Sequence, residues 1–513
     1  MSQEAKSGAW IGFIAMCLGM FMAILDIQVV ASSLTNIQTA LHISADGLSW
    51  IQTAYLTAEV IAIPLTGWLS RALSLRWMFT AATAGFTLAS IACALSGSAE
   101  TLIALRIVQG FCGGMLIPAV FTSVFTLLPE KDRVLATTIA GAFAVIAPTI
   151  GPCIGGYLTQ TYSWHWIFLI NVMPGILVCI LVARFVAPEK ADWSELKRID
   201  YLGILLTSVF LGALEILLKE APKQHWRGLE VYALGATSLL ALALAIWRCL
   251  VAKRPFVHLR RFGRLTFSLG CTLNFILGAG IYGSVYALAL FLGLVRGHSP
   301  LEIGIIMLVS GVAQFIVAPF AAVLETKVWP KLLVFVGFAT FGIGLFINGD
   351  ATPSSDYAYL FWPQALRGAA VMLCLLPATR LALEGWSHDD TAEASALFNL
   401  VRNLGGAIGI AVIDTILQQR TPEHVDAIAA KLMHGDEATA QLVGIPLDMF
   451  RAMAGQPLDP SARALLQPMV ERVALSEAFN DAWRAISAMF LVALLIAPFL
   501  GNTAPARTRT AAH

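Results

Sequence analysis

The chain has 513 residues, 58% of them hydrophobic and 13% charged, where soluble domains run at about 45–50% apolar and about 25% charged. Thirty-three Lys and Arg against 32 Asp and Glu leave a net charge of +1, so there is no global field for nucleic acid or another acidic polymer. A nucleic-acid binder, a secreted disulfide scaffold and a disordered tail protein are excluded, and an integral membrane protein remains.

A helix that crosses a bilayer needs about 20 mostly apolar residues. Fourteen such runs follow one another, at 9–32, 47–69, 77–97, 101–127, 134–158, 166–187, 201–218, 229–250, 266–294, 301–324, 331–348, 358–383, 391–417 and 482–501. They are continuous, whereas strands of a membrane β-barrel alternate over about ten residues. The expected fold is therefore an all-α integral membrane protein with 14 transmembrane helices. The first run is long and no small-residue cleavage site precedes the second, so it reads as a retained span and not a signal peptide. Runs one to six form an N-terminal half over 1–187. Runs seven and eight lie within 188–265, between basic linkers at 188–200 and 251–265. Runs nine to thirteen, over 266–417, are the first five helices of a C-terminal half. The charged segment 418–481 contains Pro422, Pro446, Pro457, Pro460 and Pro468, which predict short broken helices. Its amphipathic stretch from Val425 to Ala429 suits either a plain interhelical cap or a docking element for a partner. Residues 482–513 supply the last helix and a tail.

Orientation follows from the basic residues. An even number of spans puts both termini on one side, and that side collects twenty Lys and Arg, from Lys6, Arg71 and Arg76 through to Arg507 and Arg509. The short loops opposite hold four, Lys219, Lys223, Arg227 and Arg296. The excess predicts cytoplasmic termini. All eight cysteines fall in or at the edge of the spans and read as small packing residues.

An internal repeat is visible if helices 1–6 and 9–14 are two six-helix halves with two helices inserted between them. Leu105-Arg106-Ile107-Val108-Gln109-Gly110 in helix 4 faces Leu366-Arg367-Gly368 in helix 12. Gly151-Pro152-Cys153-Ile154-Gly155-Gly156 in helix 5 faces Gly405-Gly406-Ala407-Ile408-Gly409 in helix 13. Gly67-Trp68-Leu69-Ser70-Arg71 after helix 2, with Arg76 following, corresponds to Ala322-Val323-Leu324-Glu325-Thr326 after helix 10, with Lys331 at the matching offset.

On these residues the chain resembles the major facilitator superfamily, in its fourteen-helix drug:proton antiporter branch (EmrB/QacA-like multidrug efflux permeases), over essentially its whole length. Leu25-Asp26-Ile27-Gln28-Val29-Val30 looks like that branch's helix-1 acidic motif, and Arg106 with Gln109-Gly110 like its helix-4 motif. Gly151-Pro152-x-x-Gly155-Gly156 is similar to the helix-5 antiporter motif, with Ala147 in place of a preceding Gly. Trp164 to Asn171 and Phe398 to Gly406 also look typical of the branch. Between helices 2 and 3, Arg71 stands where the family usually has Asp and Ser74 where it usually has Gly. The resemblance implies two six-helix halves plus two inserted helices, alternating access, and a place in the bacterial inner membrane. It further implies a periplasmic adaptor protein and an outer-membrane channel as partners.

An ionisable side chain at bilayer depth costs at least ~2.5–3.5 kcal/mol on insertion scales, so it has a partner or a purpose. Asp26 and Arg106 sit on oppositely running helices at the same depth, ~8–9 Å below one surface at 1.5 Å per residue. Equal depth permits an ion pair, which either carries a coupling proton or permanently fixes helix 1 against helix 4; Arg106 serves equally as a carbonyl-bonded gate. Glu59 lies mid-way along helix 2 and either carries a proton or meets a cationic substrate. Arg367 and Arg402 have no acid at their depth; they are either capped by backbone or face the cavity and attract an anionic group. Gly151, Pro152, Gly155 and Gly156 form a bend that is either a hinge or a packing kink. Gln28, Tyr55, Asn274, Tyr282, Tyr286, Gln314 and Asn399 complete the candidates for a midplane cavity.

No phosphate loop, metal-ligand spacing or nucleophile constellation rises above background, and the histidines are scattered at span edges. The expectation is a proton-coupled exporter of amphipathic or toxic organic compounds that uses the proton gradient and no cofactor. A dedicated transporter of one metabolite, such as an organic acid, is the alternative. A membrane enzyme or sensor would need a catalytic cluster or a sizeable extramembrane domain.

Overall fold

Thirteen of the fourteen apolar runs lie essentially along one helix each of the computed structural model, which describes residues 3–43, 45–187, 191–194, 200–252, 255, 259–383, 386, 388–453 and 460–500. The first half comprises α1 (Gln3–Ser32), the short α2 (Leu34–Leu41), α3 (Ala45–Leu73), α4 (Leu75–Ala94), α5 (Ala99–Leu127) and α6 (Arg133–Thr161). The sixth run is split into α7 (Trp166–Leu169) and α8 (Val172–Phe185). The inserted pair is α9 (Tyr201–Lys223) and α10 (Leu229–Val251). The second half comprises α11 (Leu265–Leu290), α12 (Pro300–Lys327), α13 (Pro330–Asn348), α14 (Tyr357–Leu383) and α15 (His388–Met433). After the short α16 (Glu437–Val443) and α17 (Leu447–Met453), it closes with α18 (Pro460–Ile496). Among the described residues there is no strand.

By length and composition the fourteen expected spans reduce to twelve, or thirteen with α6, whose parts Leu135–Pro148 and Ile150–Thr161 meet at 43°. The bend has a local cause, since Pro148 and Pro152 each remove a backbone donor. Helix α3 is the run that falls short. Its 29 residues cover the distance, but Gln52, Thr53, Thr57, Glu59 and Thr66 dilute its apolar character.

Helix faces explain the packing. In α4 the buried positions Leu75, Met78, Phe79, Ala82, Phe86, Ala89 and Cys93 recur at three- and four-residue spacing, one stripe of a helix. Leu88 on the other face is exposed, as a lipid-facing side chain would be. One core joins Phe13, Met16, Phe79, Phe86, Leu116 and Phe168 in the first half. Another joins Leu288, Phe338, Phe341, Phe479, Trp483 and Phe490 in the second. Val60 and Ile63 of α3, Leu211 of α9, Phe267 of α11 and Phe398 of α15 form a third cluster that ties the halves to the inserted pair.

The internal repeat is present as packing. Gly110 in α5 lies so close to α3 that an added Cβ would stand 2.2 Å from the Tyr55 carbonyl oxygen. Gly368 in α14 approaches the Ser310 carbonyl of α12 in the same way, at 1.9 Å. Likewise Gly151 of α6 presses on Gln28 of α1, and Gly405 of α15 on Phe275 of α11. The pairs α3/α5 and α1/α6 thus recur as α12/α14 and α11/α15.

The segment 418–481 departs from expectation in part. Its middle holds the short α16 and α17, but at its ends α15 runs unbroken for 46 residues through Pro422 and α18 for 37 through Pro468. Pro422 is tolerated because it and the carbonyl-bearing Gln418 one turn earlier are exposed, so water replaces the lost hydrogen bond. Pro460 starts α18 and Pro446 precedes α17; Pro457 lies outside the described residues. The two extensions, α16 and α17 enclose a small core of Ile428, Val443, Ile445, Val470 and Val473. The amphipathic stretch is real, with Ile428 buried and Asp426 exposed. The linker residues Lys190, Lys197, Arg198, Lys253 and Arg254, and the tail from 501, lie outside the described residues.

Candidate functional site

Asp26 and Arg106 form an ion pair with neither side chain exposed. Around it the Asp26 carboxylate accepts from Asn171 Nδ2 at 2.8 Å and Gln109 Nε2 at 3.0 Å. Gln109 Nε2 also donates to Ser90 Oγ at 2.8 Å, and its Oε1 accepts from Arg106 Nη1 at 2.7 Å. Arg106 Nε donates to the Ile51 carbonyl at 3.2 Å, and its guanidinium lies 4.1 Å from the centre of the Tyr55 ring. The sequence makes this cluster locally. Arg106 and Gln109 are three apart on α5 and share a face, while on the next turns Gly110 and Gly114 admit the α3 backbone at Tyr55 and Glu59 and Gly113 admits the Tyr55 hydroxyl. Removing one partner from such a pair costs about 3–5 kcal/mol, because the other stays buried and uncompensated.

The second half keeps the arginine and loses the acid. Arg367 is buried and bonds Gln364, with Nε and Nη1 unpartnered. Gly405 presses on Phe275 as Gly151 presses on Gln28, so the counterpart of Asp26 is Leu273. Arg402 donates to Asn399 Oδ1 at 2.8 Å and lies over Phe121 of the first half, 5.9 Å from its ring centre.

Between the halves lies a cavity of about 530 Å³, walled by α1, α3, α6, α9, α11, α12 and α15. Of the predicted site residues, Gln28, Glu59, Pro152, Tyr282 and Tyr286 line it. Asp26 and Arg106 do not; they are sealed in the first half. Tyr55, Asn274, Gln314 and Asn399, expected on the wall, stand off it, and so do Arg367 and Arg402, for which the sequence leaves a capped and a cavity-facing place open. Tyr55 is turned into the first half, donating to the Ala23 carbonyl at 3.1 Å. Asn274 donates to the Phe398 carbonyl at 2.8 Å and Asn399 to the Ser395 carbonyl at 2.9 Å, and Gln314 is buried with its Nε2 unpartnered. Gly155 accepts from Ser33 Oγ at 3.5 Å, and its neighbour Gly156 is buried.

Glu59 is 3% exposed, and no hydrogen bond or ion pair reaches it among the described residues. Glu215 of α9 lines the same cavity within coulombic reach of Glu59, and its Oε2 is buried without a partner. Sequence reasoning passed over Glu215, along with Gln52, His298 and Asn403. The signal for Glu215 was available, since it is an acid inside the apolar run 201–218. Tyr286 donates to Asp414 Oδ1 at 2.6 Å behind the wall.

A second charged cluster joins the halves where α3 ends and α15 begins. Arg71 pairs with Glu393 at 2.6 Å, and Arg261 reaches Glu393 at 2.7 Å and Asp390 at 2.8 Å. The unusual Arg71 thus makes an inter-half bridge with an acid on the opposite half. Ser74 has φ 70°, the left-handed region that favours glycine, and caps α4 by accepting from Trp77 N–H.

The Major Facilitator Superfamily pattern matches residues 16–410. The chain is 35% identical over 503 residues to the colistin resistance protein EmrB of Acinetobacter baumannii, covering 96% of each. It is 29% identical to the multidrug export protein EmrB of Escherichia coli K12, over 80% of each. Among solved structures, the xylose transporter XylE from E. coli superposes with a TM-score of 0.59 at 14% identity, over 97% of this chain and 99% of that one. The human organic anion transporter MFSD10 does so with a TM-score of 0.59 at 14% identity, over 95% and 99%. Two helical halves related by the same glycine contacts, and a pattern that spans most of both, place this multi-pass membrane protein in the Major Facilitator Superfamily.

Proposed function

We propose that the protein is a proton-coupled exporter of amphipathic or toxic organic compounds, working by alternating access across the bacterial inner membrane with both termini cytoplasmic. The observation that carries this reading is the separation of two buried acids. Asp26 is closed away from the cavity with Arg106, and Glu59 opens into it without a partner. One suits proton storage, the other contact with a substrate that displaces the proton's influence. The relatives' names, which speak of resistance and multidrug export, favour the same direction of transport. The proton gradient drives the cycle without a cofactor. Among the described residues an organic acid would meet no Lys or Arg on the cavity wall, because Arg367 and Arg402 stand behind it. The helical cap formed by α15 to α18 is the surface on which a periplasmic adaptor, and through it an outer-membrane channel, would dock.

Proteoliposomes carrying only this protein test the reading. Adding an amphipathic compound should drive protons in the direction opposite to the compound. Flow in the same direction, or no flow with any compound, overturns it.

A further inference from the structure

The inserted helices α9 and α10 belong to neither half, yet α9 supplies the cavity with a carboxylate. Glu215 and Glu59 face one apolar space, the first with an unpartnered buried oxygen, the second buried with no bond at all. Among the described residues no Lys or Arg lines that space; the nearby cations lie behind its wall, Arg106 and Arg402 within coulombic reach of Glu59. Lys219, one turn beyond Glu215, lies 3.9 Å from the Trp50 ring centre and pairs with Glu220 at 3.3 Å. Lys223 also pairs with Glu220 at 3.3 Å. Arg106 is held by Asp26, and Arg402 by Asn399. His298, the remaining titratable group on the wall besides the tyrosines, faces Asp356 at 3.2 Å.

Resting on the exporter reading, we infer that Glu215 is a specificity-determining residue, and that with Glu59 it selects organic cations carrying two positive charges. The physical reason is charge balance in a space of low dielectric. Two carboxylates that repel each other are both compensated by a dication; a monocation leaves one of them buried and unpaired, which is expensive. The Tyr282 and Tyr286 rings on the same wall offer aromatic faces to the organic part and attract cations further. The inserted pair then does more than fill the gap between the halves: it brings a second acid to a site that either half by itself would furnish with one.

Equilibrium binding to the purified full chain tests this, with tetraphenylphosphonium as the monocation and dequalinium as the dication. The wild-type protein should prefer dequalinium. Glu215→Gln should lower dequalinium affinity by about tenfold or more, a buried charge contact having been removed, and shift the ratio of the two affinities toward tetraphenylphosphonium. Glu215→Asp, which keeps the charge, should restore the preference. Should Glu215→Gln fail to fold, labelling of wild-type Glu215 by dicyclohexylcarbodiimide gives the same answer. Dequalinium should protect Glu215 more than tetraphenylphosphonium does. An unchanged affinity ratio in Glu215→Gln, equal protection by both compounds, or a wild-type protein that binds neither would each overturn the assignment. Proton counterflow in proteoliposomes together with an unchanged ratio removes only the role of Glu215, whereas absent counterflow removes the exporter reading itself.

Discussion

Asp26 and Arg106, 80 residues apart in the chain, meet in the core of the first half with neither side chain exposed. The acid is held by three donors, from Arg106, Gln109 and Asn171, and the base by the Asp26 carboxylate, a carbonyl, an amide oxygen and a ring face. Under the proposed function this network, in which Arg106 Nη2 is left without a partner, would release its proton when its helices move apart.

Asp26→Asn removes the titrating group while keeping the shape. Substrate-induced proton release, read with a pH dye in lightly buffered detergent solution, should disappear. If release persists, the pair serves only to fix α1 against α5.

Gly110→Ala places a methyl group 2.2 Å from the Tyr55 carbonyl oxygen, and backbone cannot step aside cheaply. Overpacking of this kind costs about 1–3 kcal/mol. Gly368→Ala, at 1.9 Å from the Ser310 carbonyl, should cost a similar amount in the second half. Thermal unfolding in detergent should show both variants lowered. A stable Gly110→Ala protein would mean that α3 and α5 do not pack this closely.

The bridge between Arg71 and Glu393 joins the halves with a polarity of its own. Arg71→Glu should weaken closure of that end and slow transport, and adding Glu393→Arg should recover part of the loss. Both groups are partly exposed, so water screens the pair and the effect is set by repulsion in the single variant more than by attraction in the native protein. Because Arg261 also pairs with Glu393, recovery is partial, and a double variant no better than the single one would show that the Arg261 contact outweighs that of Arg71.

In the cap, Arg451 holds the Glu437 carboxyl below its ordinary value of 4.5 through two hydrogen bonds. A carboxyl depressed on folding contributes stability that is present above its unfolded value and lost as the pH falls through its folded one. Protection against hydrogen exchange over 437–453, meaning the rate relative to the intrinsic rate of each amide at the same pH, should therefore fall as the pH is taken from about 6 to well below 4.5, and Arg451→Ala should abolish most of that change. Protection that does not change with pH would show that the pair adds nothing to the stability of the cap.

Joining α15 directly to α18 in place of residues 434–459 tests the docking role of the cap. Whole-cell drug resistance should fall while transport in proteoliposomes continues. Undiminished resistance would remove the adaptor from the proposal.

The sequence alone determined the class, the runs, the two-half plan and the charges at depth, because each is written locally. A run of apolar residues, an acid within it, or an Arg-x-x-Gln-Gly string keeps its meaning wherever the helix is placed. Equal depth even anticipated the Asp26–Arg106 pair, since depth is only a count along a helix. Tertiary structure decided which way each side chain turns. Tyr55 and Glu59 lie one turn apart on α3, yet the first is folded over Arg106 and the second faces the cavity. The difference comes from the close approach of α5 through Gly110, Gly113 and Gly114, contacts made across some 55 residues of chain. The same holds for Glu215, whose importance depends on α9 packing between α3 and α15. It holds again for Pro422, which ends a helix by local rules and is carried through one because that stretch of α15 stands in water. Composition marks what must be buried; only the meeting of helices settles against what.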